Sequence, residues 1–275
     1  MSESSFLDRV ERYYAAVPQL FAGAEEFGSL RLFVRKEPGA PYYGGPGHAR
    51  PTGDGPVTAA DVERVRARQR ELGVPEAFEW LAEAAPEARR VVAAAGLPVA
   101  ERPLMVLEGA ASAAALPDGV SSRVVGADDP VLPAVLAVPR LAFSATGPAG
   151  REELRRAADE AVADGTLAAV RPALRAGHKV LVAALDADGT PLAVGHYHPA
   201  EGATEIGGVG TLPEARRRGL GAAVTAELAT HARAHGVRTV FLAYAQESVA
   251  RIYARLGFRP AGVTLLAADQ PARGA

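Results

Sequence analysis

Cysteine is absent from the 275-residue chain. That removes disulfides, thiolate metal ligation and cysteine nucleophiles together, and it fits a reducing compartment. Long apolar runs are also missing: none approaches the roughly 18 residues of a membrane span. The opening "MSESSFLDRVERYY" has neither the basic start nor the apolar core of a secretory signal. Nor does one sign of charge dominate, with a net charge of -2 and a pI near 6.3. No global basic field recruits nucleic acid or anionic lipid, so any anion binding must be local. These absences lead to the expectation of a soluble cytoplasmic protein with no nucleic-acid and no membrane partner.

What is present is ample material for a core, since 48% of the residues are hydrophobic. The length suits one large domain or two modest ones. "SLRLFVRK" alternates like a strand, and the Gly- and Pro-rich "EPGAPYYGGPGHARPTGDGP" after it reads as a long loop or ragged hairpin. "TAADVERVRARQREL" has helical spacing, with Thr58 as N-cap and Asp61 completing a capping box. A strand "AFEWL", a helix "PEARRVVAAAG" and a strand "PLMVLEG" follow. Trp80 and Phe78 are expected in the core, and the arginines of "RVRARQR" on a solvated, acid-flanked helix face.

The small-residue stretch "ASAAALPDG" marks a boundary near Pro117, dividing the chain into an N-terminal α/β lobe, 1–116, and a second domain, 117–275. Beyond it come the strand "VSSRVVG", helices in "DPVLPAVLAVPRLAF" and "REELRRAADEAVADG", and strands "KVLVAALDAD" and "PLAVGHYHPAEG" joined by an Asp-Gly hairpin signal. Then strand, helix, strand and helix alternate from "ATEIGGVGTL" to "ESVARIYARLG", a crossover unit with locally parallel strands. The fold expected is mixed α/β, with a mostly antiparallel sheet flanked by helices.

Arg216, Arg217 and Arg218 crowd directly before Gly219, Leu220, Gly221 and Ala222, where a helix begins. A helix N-terminus carries unpartnered N–H groups and a partial positive charge. Glycines let phosphate oxygens approach those groups, and arginines add charge at the rim. No G-x-x-x-x-G-K-[ST] exists, and Gly208 and Gly210 form a lone G-x-G without a helix behind it, so neither a P-loop nor a Rossmann turn is indicated.

Arg216-x-x-Gly219-x-Gly221, after a strand ending in Val209-Gly210-Thr211-x-Pro213, resembles the acyl-CoA signature of the GCN5-related N-acetyltransferase (GNAT) superfamily. "ARIYARLGFRPAG" is similar to its second hallmark, a helix with Tyr253 four residues before Gly257-Phe258. The resemblance covers about residues 119 to 268. Gln246 and Val249 depart from it, standing where the family often has Asn and Ala. It implies that amides of Arg217 to Ala222 hold the CoA pyrophosphate and that the backbone of Val209, Gly210 and Thr211 pairs with the pantetheine arm. The N-terminal lobe lacks the signature, and its strand and helix order is consistent with a degenerate GNAT-like half or a lobe covering the acceptor side.

Acetyl transfer to an amine needs a base for the amine and an acid for the departing thiolate. Tyr253, a phenol donor at neutral pH that matches the family's tyrosine near the CoA sulfur, is the expected acid, and Glu205, whose offset before Gly219 is similar to that of the catalytic glutamate in histone-type members, is by that resemblance the leading base. On a regular strand Glu205, Gly207 and Val209 share a face, although a bulge in "GGVG" would change that parity. His196 and His198 point to one side of their strand as alternative bases or substrate contacts. They lack a third metal ligand by spacing, and His231 and His235 read as a solvated helix face, so no metal is expected. The function expected is direct, ternary-complex acetylation of a small-molecule or peptide amine by acetyl-CoA, with a homodimer the default assembly. The rival expectations are a silent CoA-binding or interaction module and transfer of a longer acyl group or to a hydroxyl.

Overall fold

A computed structural model describes residues 5–36, 48–144 and 149–269. Its elements are α1 (Phe6–Ala16), β1 (Ala22–Phe27), β2 (Leu30–Arg35), β3 (Ala49–Pro51), α2 (Ala59–Glu71), β4 (Ala77–Leu81), α3 (Ala88–Ala94), β5 (Val99–Leu107), β6 (Ser121–Val125), α4 (Leu132–Ala142), α5 (Arg151–Ala163), α6 (Thr166–Arg175), β7 (Val180–Leu185), β8 (Pro191–Tyr197), β9 (Ala203–Thr211), α7 (Leu220–Ala234), β10 (Thr239–Ala243), α8 (Glu247–Arg255) and β11 (Phe258–Ala268). Contacts divide the chain into two units. The first takes the N-terminal part to Met105, Ala243–Gln246 and the segment from Pro260; the second takes Val106–Leu242 and Glu247–Arg259.

In the first unit the strand order is β1-β2-β3-β4-β11-β5, with β1–β2, β2–β3 and β4–β11 antiparallel and β3–β4 parallel. The Thr58 side chain accepts from the Asp61 amide while the Asp61 carboxylate accepts from the Thr58 amide, so α2 starts with the expected capping box. Its apolar stripe, Val62 and Val65, packs with Phe78, Trp80, Val92 and Leu265 into one buried cluster. The Trp80 indole N–H donates to the Ala85 carbonyl, which satisfies the one polar group this ring brings inside. The arginines of α2 are ion-paired: Arg64 with Asp61, Arg66 and Arg70 with Glu76, Arg68 with Glu25. Of the Gly- and Pro-rich stretch, residues 37–47 lie outside the described residues, and Ala49–Pro51 forms β3.

The second unit's order is β10-β9-β8-β7-β6, antiparallel apart from β9–β10. The turn read from "DADG" joins β7 to β8, with Asp186 receiving the amides of Asp188 and Thr190 and Gly189 at a φ of 79°. The crossover β9–α7–β10 brings parallel strands together, as the alternation predicts. Helix α7 covers one face of this sheet: Leu228 and Val224 reach over Gly195, and the Tyr197 hydroxyl meets His231 Nδ1 at 2.9 Å. Helix α4 covers part of the other face, where Ala142 and Pro139 sit over Gly210.

The two faces of β9 are set by a bulge. His196 pairs with Gly207 and Val194 with Gly210, so Gly208 and Val209 together oppose the single Gly195. The extra residue reverses the alternation, and Val209 turns toward α7, with Cγ2 3.1 Å from where a Cβ on Gly195 would be. Glu205 and Gly207 lie on the other face, so the regular-strand expectation that Val209 shares it is corrected. Gly208 adopts a φ of 60°, and a Cβ there would fall 2.5 Å from His196 Cε1. Gly208→Ala is therefore expected to lower stability by about 1–3 kcal/mol in urea unfolding. Gly207→Ala, whose Cβ would stand 3.7 Å from His196 Nε2, should cost less; equal midpoints for the two variants would contradict the bulge requirement.

Candidate active site

After Thr211 the chain makes a single 3₁₀ turn, Pro213–Ala215, and then passes the three arginines into α7. Arg217 takes the left-handed conformation, φ 62°, which is unusual for a residue with a Cβ, and Gly219 follows at φ 81° as the N-cap of α7. No side chain caps this helix and no acidic residue stands in its first turn. The first hydrogen bond from within the helix runs from the Ala223 amide to the Gly219 carbonyl, so the N–H groups of Leu220, Gly221 and Ala222 lack intrahelical partners. A Cβ on Gly221 would meet Thr211 Oγ1 and Val209 Cγ1 only at 3.7 Å, ordinary contact, so packing does not demand glycine there.

The three arginines separate in role. Arg216 donates through Nη2 to the Ala142 carbonyl at 2.7 Å, tying the turn to the end of α4. Arg217 and Arg218 are exposed and make no ion pair among the described residues. The turn is thus a cationic, uncapped helix start whose amides are open to an anion.

The β9–β10 ladder pairs Ala203, Thr204 and Glu205 with Thr239, Val240 and Phe241 and stops there, while β9 continues to Thr211. Beyond Glu205 the edge of β9 toward β10 therefore carries Ile206 to Thr211 without that ladder. Glu205 stands at the mouth of this divergence, partly exposed, and Val209, Gly210 and Thr211 lie along it toward the helix start. Tyr253 lies on α8, the helix that follows β10, with its ring 6.1 Å from that of Phe258. Burial pushes its phenol up to about 12, so it is protonated at neutral pH, and its hydroxyl has no hydrogen-bond partner among the described residues.

His196 and His198 share the Glu205 face, as their spacing predicts, with Tyr197 turned to α7. The two imidazole rings meet edge-on at 5.2 Å, and His196 lies over the bulge at Gly208. Burial, with the Lys179 ammonium second, holds both well below the ordinary histidine range, so both are neutral near pH 7. Sequence reasoning missed Lys179: it sits one residue before β7 with no local motif, and only the β7–β8 register brings it to His198. His231 and His235 stack on α7 at 3.9 Å, on the opposite side of the sheet from this face; His235 is exposed, but His231 is half-buried against the Tyr197 hydroxyl, which corrects the expectation of a wholly solvated pair. Among the described residues no group of three or more potential ligands could hold a metal.

The model of the acetyltransferase (GNAT) family matches residues 148–258. No curated protein matches the chain. Among solved structures, a GCN5-related N-acetyltransferase from Kribbella flavida is similar over 98% of each chain, with 22% identity and a TM-score of 0.75. A tandem GNAT protein from the clavulanic acid biosynthesis pathway is similar over 97% of this chain and 94% of its own, at 18% identity and a TM-score of 0.56. A GCN5-related N-acetyltransferase-like protein from Streptococcus suis 89/1591 aligns over 96% and 98%, at 10% identity and a TM-score of 0.54. At these identities the likenesses show the fold. The uncapped helix start, the bulged strand and the family match coincide in residues 148–258, which belong to the acetyltransferase (GNAT) family, a family of acyl-CoA-dependent acyl transfer.

Proposed function

We propose that the protein is an acetyl-CoA-dependent N-acetyltransferase that moves an acetyl group to the primary amine of a small molecule or peptide, directly and in a ternary complex. The observation that carries this reading is the continuity from the open amides of Leu220 to Ala222, along the unladdered edge of β9, to Glu205 at the mouth of the divergence. Acetyl-CoA supplies the activated acyl group as a thioester. The residues fit it: glycine at 219 and 221, exposed cations at 217 and 218, and no acidic side chain in the first turn of α7.

In this reading the amides from Arg217 to Ala222 hold the pyrophosphate and Val209, Gly210 and Thr211 orient the pantetheine arm. Glu205, or a water it orders, removes the proton from the acceptor amine, and the Tyr253 hydroxyl donates to the departing thiolate. A phenol held near 12 remains a donor throughout the neutral range. The catalytic domain is the part beginning near Pro117. The first lobe is a degenerate GNAT-like half, supported by structural likeness to tandem GNAT architecture across nearly the whole chain.

Acetyl-CoA at about one hundred times its Kd should stabilise the fold by about 2.7 kcal/mol, seen as a rise of several degrees in Tm. No stabilisation would remove the reading; binding without thiol release over a broad amine panel would instead favour a silent CoA-binding module. Tyr253→Phe is expected to lower kcat about 100-fold or more while keeping the acetyl-CoA stabilisation; unchanged turnover would remove Tyr253 as the acid. Gly219→Ala places a Cβ on a left-handed residue, costing about 1 kcal/mol of stability. It should also weaken acetyl-CoA measurably by calorimetry, and unchanged affinity would argue against the helix start as the pyrophosphate site.

A further inference from the structure

On the face of the second unit's sheet opposite α7, polar side chains form a line across the strands. Leu181 pairs with His196 and Val180 with Tyr197, so Lys179, one step further, falls across from His198. Its Nζ is 3.4 Å from His198 Nε2. His198 Nδ1 is 2.8 Å from the His178 carbonyl, which can only accept, so Nδ1 carries the proton and Nε2 accepts from the lysine. The His198 ring meets His196, and His196 lies over the bulge at Gly208. Lys179, His196 and Glu205 are each partly open to solvent, although Tyr197, His198, Thr204 and Ile206 beside them are buried.

Lys179 makes no ion pair among the described residues. Other cations of this unit are matched by carboxylates: Arg123 with Asp129, Arg151 with Asp186, Arg175 with Asp128. Burial lowers the Lys179 ammonium to about 8, so it is still mostly charged at pH 7, and the side chain it meets, His198, is a neutral imidazole. A half-buried cation with no ion-pair partner among the described residues is electrostatically complementary to an anionic group.

We propose that Lys179 is a specificity-determining residue that takes a carboxylate of the acceptor, so that the preferred substrates are amines bearing a carboxylate several bonds from the nitrogen. This rests on reading β9 as the acyl-transfer strand. Lys179 enters from β7 and the acceptor amine would meet β9, two strand spacings away, roughly 10 Å along the sheet. An α-amino acid, with its carboxylate two bonds from the amine, is too short to reach both, whereas an ω-amino acid or a short peptide spans the distance. His196 and His198, both neutral, form the polar wall between the two ends.

The test is equilibrium binding to the CoA-saturated protein of 6-aminohexanoate and 6-aminohexanamide, which share amine and length and differ in charge. The carboxylate should bind about tenfold more tightly. Lys179→Met and Lys179→Gln should each reduce that ratio below twofold while retaining stabilisation by acetyl-CoA, and Lys179→Arg should preserve it. Equal binding of the two probes to the wild-type protein, failure of 6-aminohexanoate to bind, or an unchanged ratio in a folded Met or Gln variant would overturn the proposal. None of these outcomes touches the acyltransfer reading, which stands or falls on stabilisation by acetyl-CoA.

Discussion

The two residues Gly208 and Val209, set against the single Gly195, determine which side chains of β9 each layer receives, and much of the second unit depends on that offset. Without it Val209 would lie on the Glu205 face and Gly210 beneath α7. With it, Val209 closes the packing around Gly195 with Val224 and Leu228, and Gly210 lets α4 approach the sheet closely. The same offset seats His196 against the backbone of Gly208. A backbone irregularity of this kind bends and twists the strand that carries it, and here the bent strand is the one whose ladder with β10 ends at Glu205.

Electrostatics divides the second unit into two kinds of cation. Arg123 on β6, Arg151 on α5 and Arg175 on α6 are matched by carboxylates of the connecting segments, Asp129, Asp186 and Asp128. Arg217, Arg218 and Lys179 are not matched among the described residues. Arg216 belongs with neither group: its guanidinium reaches a carbonyl far away in sequence and fixes the entry to α7. Net charge near neutrality hides this partition, because local counterions, not the sum, decide where an anion can settle.

Short-range chemistry was legible in the sequence. The Thr58–Asp61 capping box, the Asp186–Gly189 turn and the arginine–glycine helix start each depend on residues within a few positions of one another, and each occurs as read. Elements whose local signal is weak or contradictory went unread. The edge strand β1, with burial on one residue and two glutamates in six, has no apolar alternation; α6 contains Pro172, which reads as a breaker although its ring sits in a helix; α1 is amphipathic but short. In the candidate site, the histidines and Glu205 were visible as residue types at plausible spacings. The grouping of Lys179 with His198, and the separation of Arg216 from its two neighbours, arise from register and from contacts across the fold, which no local pattern encodes.

Strand β11 leaves the second unit at its start and, from Pro260, lies between β4 and β5 in the first. The first unit's sheet is therefore interrupted until the segment beyond Pro260 exists, and during synthesis at about 5–20 residues per second that gap persists for roughly ten to thirty seconds after β5 is made. The second unit, whose strands β6 to β10 are consecutive in the chain, needs no such wait. The half of the protein translated first is thus completed last, and its unpaired β4 edge is the surface most in need of protection on the ribosome.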